Sequence, residues 1–317
     1  AAAGSPMHER ILRDPVRAID TGDHLGPWIA KQAMQRDKPD LRSLEAESCI
    51  LNLDTCDVLV LGGGTGGAPA AIAAGRKGAD TLVVESGDQL GGVGTLGQIA
   101  RYWFGNRVGF TAEIDASVAA LETDERLRKN IGQWSVSAKS HWYEHNCREA
   151  GVTMIYRSLC AGVETHRGRV TGLQVATPYG FGLIGATCVV DATGAADVAA
   201  AAGAPTREIT GEHIAVQGTG LSAMEPGEDY KNSDHNFCDD TDVFDATAFL
   251  VSSKLKFRDH FDAGQLIDSR ERRQIVGDME LGPSDFLSER RYPDTICVAS
   301  SNFDSHGFTV HPVFMCQ

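Results

Sequence analysis

The feature that most constrains this chain is the run Gly62-Gly63-Gly64-Thr65-Gly66-Gly67, set between two stretches of opposite texture. Before it, Asp57-Val58-Leu59-Val60-Leu61 is a continuous apolar run, the pattern of a strand buried on both faces. After it, Ala68–Lys77 is alanine-rich with helical spacing and ends at Gly78. Thr81-Leu82-Val83-Val84-Glu85 then reads as a second buried strand. Strand, glycine turn, small-residue helix and strand make a βαβ unit, which needs parallel strands and a crossover helix.

Gly62, Gly64 and Gly67 match Gly-x-Gly-x-x-Gly, and Glu85 stands about twenty residues on, at the end of the next strand. That context turns a weak pattern into a dinucleotide-binding expectation. Gly62 permits the turn out of the strand, Gly64 lets a diphosphate approach the backbone, and Gly67 lets the helix pack on the sheet. The amides of Thr65 and Gly66, at the positive end of the helix dipole, suit an anion. Pro69 falls in the first helical turn, where its missing N–H costs nothing. Glu85 accepts hydrogen bonds from ribose hydroxyls and repels a 2′-phosphate, which disfavours NADP.

Residues 1–53 are polar, charged and proline-punctuated, and read as an arm with a short helix at 26–35. Residues 54–205 read as the nucleotide-binding domain, with a helical insertion at about 111–149 whose clearest segments are Ala112–Leu121 and Ser137–Ala150. A short strand is expected at Val152–Tyr156, then strands Val163–Thr165, Arg169–Ala176 and Gly182–Val190 joined by turns at 166–168 and 178–180. Residues 206–317 are more irregular and read as a substrate or cap region, with a helix expected around Asp268–Val276.

The wider pattern resembles the FAD-dependent oxidoreductase family related to the succinate dehydrogenase and fumarate reductase flavoproteins. The pieces that carry it are Asp57–Gly67, Val84-Glu85-Ser86 with Leu90–Thr95, Glu149–Val152 and Val189–Asp197. Arg273–Gly277, Tyr292–Ile296 and Asp304-Ser305-His306-Gly307 follow. The resemblance implies an α/β, three-layer parallel-sheet FAD-binding (Rossmann-like) domain with FAD as cofactor. Carried over, it places Gly62, Gly64 and Gly67, with Thr65 and Gly66 between them, on the diphosphate. It places Glu85 and Ser86 at the adenosine ribose, Gly91, Gly92 and Thr95 along the diphosphate and ribityl chain, and Cys160-Ala161 near the adenine. Ala192-Thr193-Gly194 forms a second glycine turn, with Asp197 beyond it. Ala195 stands where the family often has an acidic residue. His306 is the implied proton donor or acceptor beside the flavin, ahead of His235 and His311.

The activity expected is hydride transfer between a small organic substrate and the flavin. A non-redox hydratase or isomerase that retains FAD, and a non-catalytic binding protein on the same fold, are the other classes that share these motifs. Proteins of the resembled family return to the FAD domain near their C-terminus, whereas ten residues follow Gly307. A second polypeptide is therefore expected to finish the fold, the remainder having been separated either by processing of a precursor or by truncation of the sequence.

Composition sets outer limits. A formal charge of −14 argues against nucleic acid or an anionic membrane as partner. No apolar stretch is long enough to span a bilayer. Eight scattered cysteines without Cys-x-x-Cys point to reduced thiols in a cytoplasmic protein and to no metal centre. His141 and His145 lack a third ligand, and Asp239-Asp240-Thr241-Asp242 lacks the rest of a calcium loop, so both read as surface. Arg270, Arg272 and Arg273 read as a charged helix face rather than a carboxylate clamp, and Tyr102-Trp103-Phe104 as core packing or a flavin wall.

Overall fold

The computed structural model describes residues 26–31, 34, 51–102, 105–122, 134–208, 217–218, 220–221, 231–232, 242–260, 266–267, 273–282, 284–285 and 288–295. The chain divides into two compact units, Ala1–Ser48 and Cys49–Gln317. In the first, residues 26–31 and 34 are helical and exposed.

The second unit is built on a six-stranded sheet in the order β3-β2-β1-β6-β5-β4. Its strands are β1 (Leu51–Leu61), β2 (Thr81–Val84), β3 (Thr153–Ile155), β4 (Leu159–His166), β5 (Arg169–Thr177) and β6 (Gly180–Asp191). β1 runs parallel to β2 and β6, and β2 runs parallel to β3. The β4–β5–β6 meander is antiparallel, so the sheet is mixed, with the parallel strands β3-β2-β1-β6 on one side and β5 and β4 on the other. The two-residue β4–β5 turn is Arg167-Gly168, both left-handed at φ +50° and +76°, the geometry that suits the twist of a hairpin.

Three helices cover one face: α1 (Gly67–Arg76), α2 (Phe110–Leu121) and α3 (Val136–Glu149). Alternate residues of β1 and β2 divide between the faces, as a period of two demands. Val60 and Val83 meet Ala71 and Ile72 of α1, Ile114 and Val118 of α2, and Trp142 and Tyr143 of α3. Leu59, Leu61, Leu82 and Val84 pack with Leu173 and Val175 of β5, Ile184 of β6 and Val198. The meander thus closes the third layer. Small residues on α1 set how closely the helices approach: a β-carbon at Gly75 would stand 2.6 Å from the carbonyl of Ala150. At its end, Arg76 is bidentate to Glu113 of α2 (3.1 and 2.7 Å) and reaches Asn146 Oδ1 of α3 at 2.8 Å.

After β6 come α4 (Asp197–Ala201), the short strands β7 (Thr206–Glu208), β8 (Gln217–Gly218), β9 (Gly220–Leu221) and β10 (Lys231–Asn232), then α5 (Val243–Lys256), β11 (Leu266–Ile267) and β12 (Arg273–Ile275). Two sequence expectations need correction. β1 begins at Leu51 and pairs with β6 from its first residue, through a register shift between Asn52 and Thr55, so the strand starts inside the stretch read as an arm. The helix expected at Asp268–Val276 is replaced at its described end by β12, which pairs antiparallel with β7. There Ile275 and Val276 are β-branched, and long-range pairing overrides the local pattern. Asp242 is exposed and outside the regular elements, and it also N-caps α5, its carboxylate accepting from Phe244 N at 2.7 Å. No described helix is long and apolar enough to cross a membrane.

Leu59 is fully buried at the centre of the sheet. Leu59→Ala is expected to cost about 3 kcal/mol by the usual transfer and cavity terms. Denaturant melts measure this, and a loss under about 1 kcal/mol contradicts the packing described.

Candidate functional site at the carboxyl edge of the parallel strands

Parallel strands β1, β2 and β6 all end on one edge, and the chain leaves each of them through a turn. In register, Leu61 of β1 stands beside Val84 of β2 and Asp191 of β6. β1 therefore delivers the glycine loop next to the Ala192-Thr193-Gly194 turn, and β2 delivers Glu85 on its other side. This is where an open α/β sheet forms its ligand crevice. A cavity of about 760 Å³ opens here, within the range of roughly 300–1,000 Å³ usual for small-molecule sites.

Most of the residues singled out in the sequence converge on this cavity. Gly62, Gly64, Thr65 and Gly66 line it from the first loop. Glu85, Ser86 and Gly92 line it after β2, and Ala161 from β4. Ala192, Thr193, Gly194 and Asp197 complete the wall after β6. Gly67, Gly91 and Thr95 are not on its surface. Gly67 packs against the carbonyl of Gly62. Gly91, left-handed at φ +104°, donates its N–H to Gly63 O at 2.8 Å. Thr95 is fully buried and donates its hydroxyl to Leu90 O at 2.7 Å. These three shape the loops that the lining residues stand on.

The glycines of the first loop divide by what surrounds them. At Gly62, left-handed at φ +91°, a β-carbon would collide with the carbonyl of Ala192. At Gly67 it would collide with the carbonyl of Gly62. Both are demanded by the fold. At Gly64 the nearest protein atom to a β-carbon is Gly92 Cα at 4.0 Å, so the space it would enter is cavity. Packing within the protein therefore leaves room for a side chain at residue 64. The N-cap of α1, Gly66, carries no capping side chain, and the first turn holds no acidic residue, so its positive end faces the cavity uncompensated.

Glu85 is buried and tied to backbone: Oε2 accepts from Gly63 N at 2.6 Å, and Oε1 accepts from Gly87 N at 2.6 Å and from Ser86 Oγ at 3.1 Å. It locks the two loops on either side of it while keeping its place in the cavity wall. Asp191, to which the sequence reading gave no role, organises the second turn. Its Oδ1 accepts from Thr193 N and Thr193 Oγ1 at 3.2 and 2.7 Å, and its Oδ2 from Ala199 N at 3.0 Å. The signal was available: an acidic residue ending a buried strand just before a Thr-Gly turn fits a cap. Thr193 Oγ1 in turn accepts from Asp197 N at 3.0 Å. Asp197 pairs with Arg273 at 2.9 Å, and the same guanidinium donates to Ala195 O at 3.3 Å. Arg273 thus sits on a strand and braces the turn from outside. Ser158, Leu159, Cys160 and Gly162 also line the cavity. The Cys160 thiol, pushed up chiefly by burial, donates to Gly162 O at 3.4 Å.

Other candidates fall elsewhere. The rings of His141 and His145 stack 6.3 Å apart on the exposed side of α3, and no group of metal-binding side chains is formed among the described residues. Tyr102 packs on Trp134 with ring centroids 4.7 Å apart. His306, His235, His311, Arg270, Arg272, Trp103, Phe104 and Asp239–Thr241 lie outside the described residues.

The parallel edge, two apposed glycine turns and a buried acidic residue after β2 define a dinucleotide-binding α/β protein. A family model described as FAD dependent oxidoreductase matches residues 57–263, and the chain belongs to that family, whose cofactor is FAD. No curated protein sequence matches the chain. Among solved structures, a geranylgeranyl bacteriochlorophyll reductase-like protein from Thermoplasma acidophilum is 18% identical, covering 68% of this chain and 65% of its own, at a TM-score of 0.43. An L-proline dehydrogenase from P. horikoshii is 15% identical, covering 55% and 62%, at a TM-score of 0.39. The chain spans less than two thirds of the length of each.

The division among the glycines yields a paired expectation. Gly67→Ala is expected to destabilise the protein with or without FAD, whereas Gly64→Val leaves the FAD-free protein's melting temperature within a few degrees of wild type and abolishes FAD binding. Thermal melts and flavin fluorescence titration separate the two; stoichiometric FAD in folded Gly64→Val contradicts this reading of the loop.

Proposed function

We propose that this cavity holds FAD and that the protein is an oxidoreductase acting on a small organic substrate. The observation that carries the reading is Gly64, whose missing side chain leaves cavity rather than protein contact, at the uncompensated N-terminus of α1. The amides of Gly64, Thr65 and Gly66 suit the diphosphate, and Glu85, Ser86 and the Cys160-Ala161-Gly162 backbone suit the adenosine. Gly92 and the Ala192-Thr193-Gly194 turn suit the remainder of the cofactor. Bound FAD supplies hydride acceptance and donation at its isoalloxazine ring, and the protein supplies binding, orientation and electrostatics. Likeness of the motifs to succinate dehydrogenase and fumarate reductase flavoproteins supports His306 as the residue that exchanges a proton with the substrate.

The purified protein is expected to be yellow and to release FAD, not FMN or NAD, on denaturation. Anaerobic addition of the correct substrate, found by screening small organic acids and alcohols, is expected to bleach the flavin. Protein that folds but takes up no FAD contradicts the proposal. His306→Ala is expected to slow this reductive step by about a hundredfold with FAD still bound. An unchanged rate in stopped-flow measurements removes His306 from the chemistry.

A further inference from the structure

The cavity wall carries the carboxylates of Glu85 and Asp197 and, among the described residues, no lysine or arginine. A dianionic diphosphate is expected to sit there, so the source of positive charge matters. Behind the wall lies one. Lys139, on α3, is only 3% exposed. Its ammonium stands 3.3 Å from the ring centroid of Trp134 and 4.8 Å from that of Tyr102, and donates to Tyr102 Oη at 3.1 Å. No carboxylate among the described residues forms an ion pair with it. A buried cation held against two aromatic rings is costly to desolvate and rarely kept without a use.

The cage is fastened to the cavity by the single-turn helix Gly92–Gly94. Trp134 Nε1 donates to Gly94 O at 2.8 Å, and a β-carbon at Gly94 would stand 3.6 Å from Lys139 Nζ. At the other end of that turn, a β-carbon at Gly92 would stand 2.9 Å from Gly64 Cα. Gly92 and Val93 form part of the cavity wall. Lys139 therefore lies behind the turn whose front faces Gly64, with Trp134 bonded between them.

We infer that Lys139 is a positioning residue for the cofactor: with Trp134 and Tyr102 it seats the Gly92–Gly94 turn against Gly64 and gives the diphosphate side of the cavity its positive charge. This rests on the reading of the cavity as an FAD site. The titratable and charged groups that face the ammonium are Tyr102, Asp115 of α2 and Arg107. Arg107 and Asp115 pair with each other at 2.7 Å and so largely cancel.

The charge makes a prediction that shape alone does not. Burial pushes the Lys139 ammonium down to about 8 from an ordinary 10.5, with Asp115 opposing and Arg107 adding to the shift. In the FAD-free protein the charged form is disfavoured, so stability rises as pH climbs from about 8 toward 10.5. FAD binding has the opposite sign: the anion favours the ammonium, so affinity falls as pH rises through the same window. Tyr102 is pushed up to about 12, mainly by burial, and stays neutral there.

The test measures the Kd of FAD by fluorescence from pH 7 to 9 for wild type, Lys139→Met and Lys139→Arg, with the melting temperature of each FAD-free protein recorded. Wild type that binds no FAD at any pH overturns the cavity assignment itself. If wild type binds, the inference predicts affinity falling several-fold toward pH 9. It predicts that Lys139→Met binds about tenfold more weakly at pH 7, the scale of one screened charge, with a flat profile. Lys139→Arg is expected to recover most of the pH 7 affinity. Wild-type affinity that is unchanged across the window overturns the inference, as does a folded Lys139→Met with wild-type affinity and profile. Should Lys139→Met not fold, the wild-type profile alone decides.

Discussion

The structure turns on the contact between Gly62 and Ala192. β1 and β6 lie side by side in parallel, Ala192 N donates to Leu61 O at 2.8 Å, and the Ala192 carbonyl fills the space where any side chain at residue 62 would stand. That contact brings two turns separated by about 130 residues of sequence to one strand edge. Everything the cavity needs follows from it: α1 leaves from one turn, α4 from the other, and the space between them is open. Gly67 then packs on Gly62, so the same carbonyl-to-glycine approach sets where α1 starts.

Around this centre two carboxylates, one buried and one half-buried, hold the loops. Glu85 gathers the amides of Gly63 and Gly87, and Asp191 gathers those of Thr193 and Ala199. Each carboxylate follows the last residue of, or ends, a parallel strand, where the sheet can no longer satisfy the chain. Charge-assisted bonds to backbone amides are short and directional, which suits loops that must stay put with little side-chain mass. Arg273 adds a brace from β12 through Asp197, and Lys139 adds one from behind through Trp134.

What could be read from the sequence follows from range. The βαβ unit was legible because the buried strands, the glycine loop and the alanine-rich helix are each local patterns with few other interpretations. The meander strands were legible because turn residues punctuate them. Asp191 has local partners, two and eight residues on, so an acidic residue at a strand end before a Thr-Gly turn is a legible cap, whereas its reach to Ala199 depends on where α4 starts. Lys139 was not legible at all: on a helix that also carries His141, Glu144 and His145, a lysine reads as surface, and only tertiary packing puts it behind Gly94. The helix expected at 268–276 failed for the same reason, because β12 gains its hydrogen bonds from β7, sixty-odd residues earlier.

The central claim is that FAD lies along the carboxyl edge of β1, β2 and β6. Hydrogen exchange followed by mass spectrometry, with and without saturating FAD, tests it most directly. Protection is expected in segments 62–67, 85–92, 158–162 and 192–197, with β5 and the exposed face of α3 unchanged. Stoichiometric FAD binding that leaves those four segments exchanging as in the FAD-free protein would contradict the account.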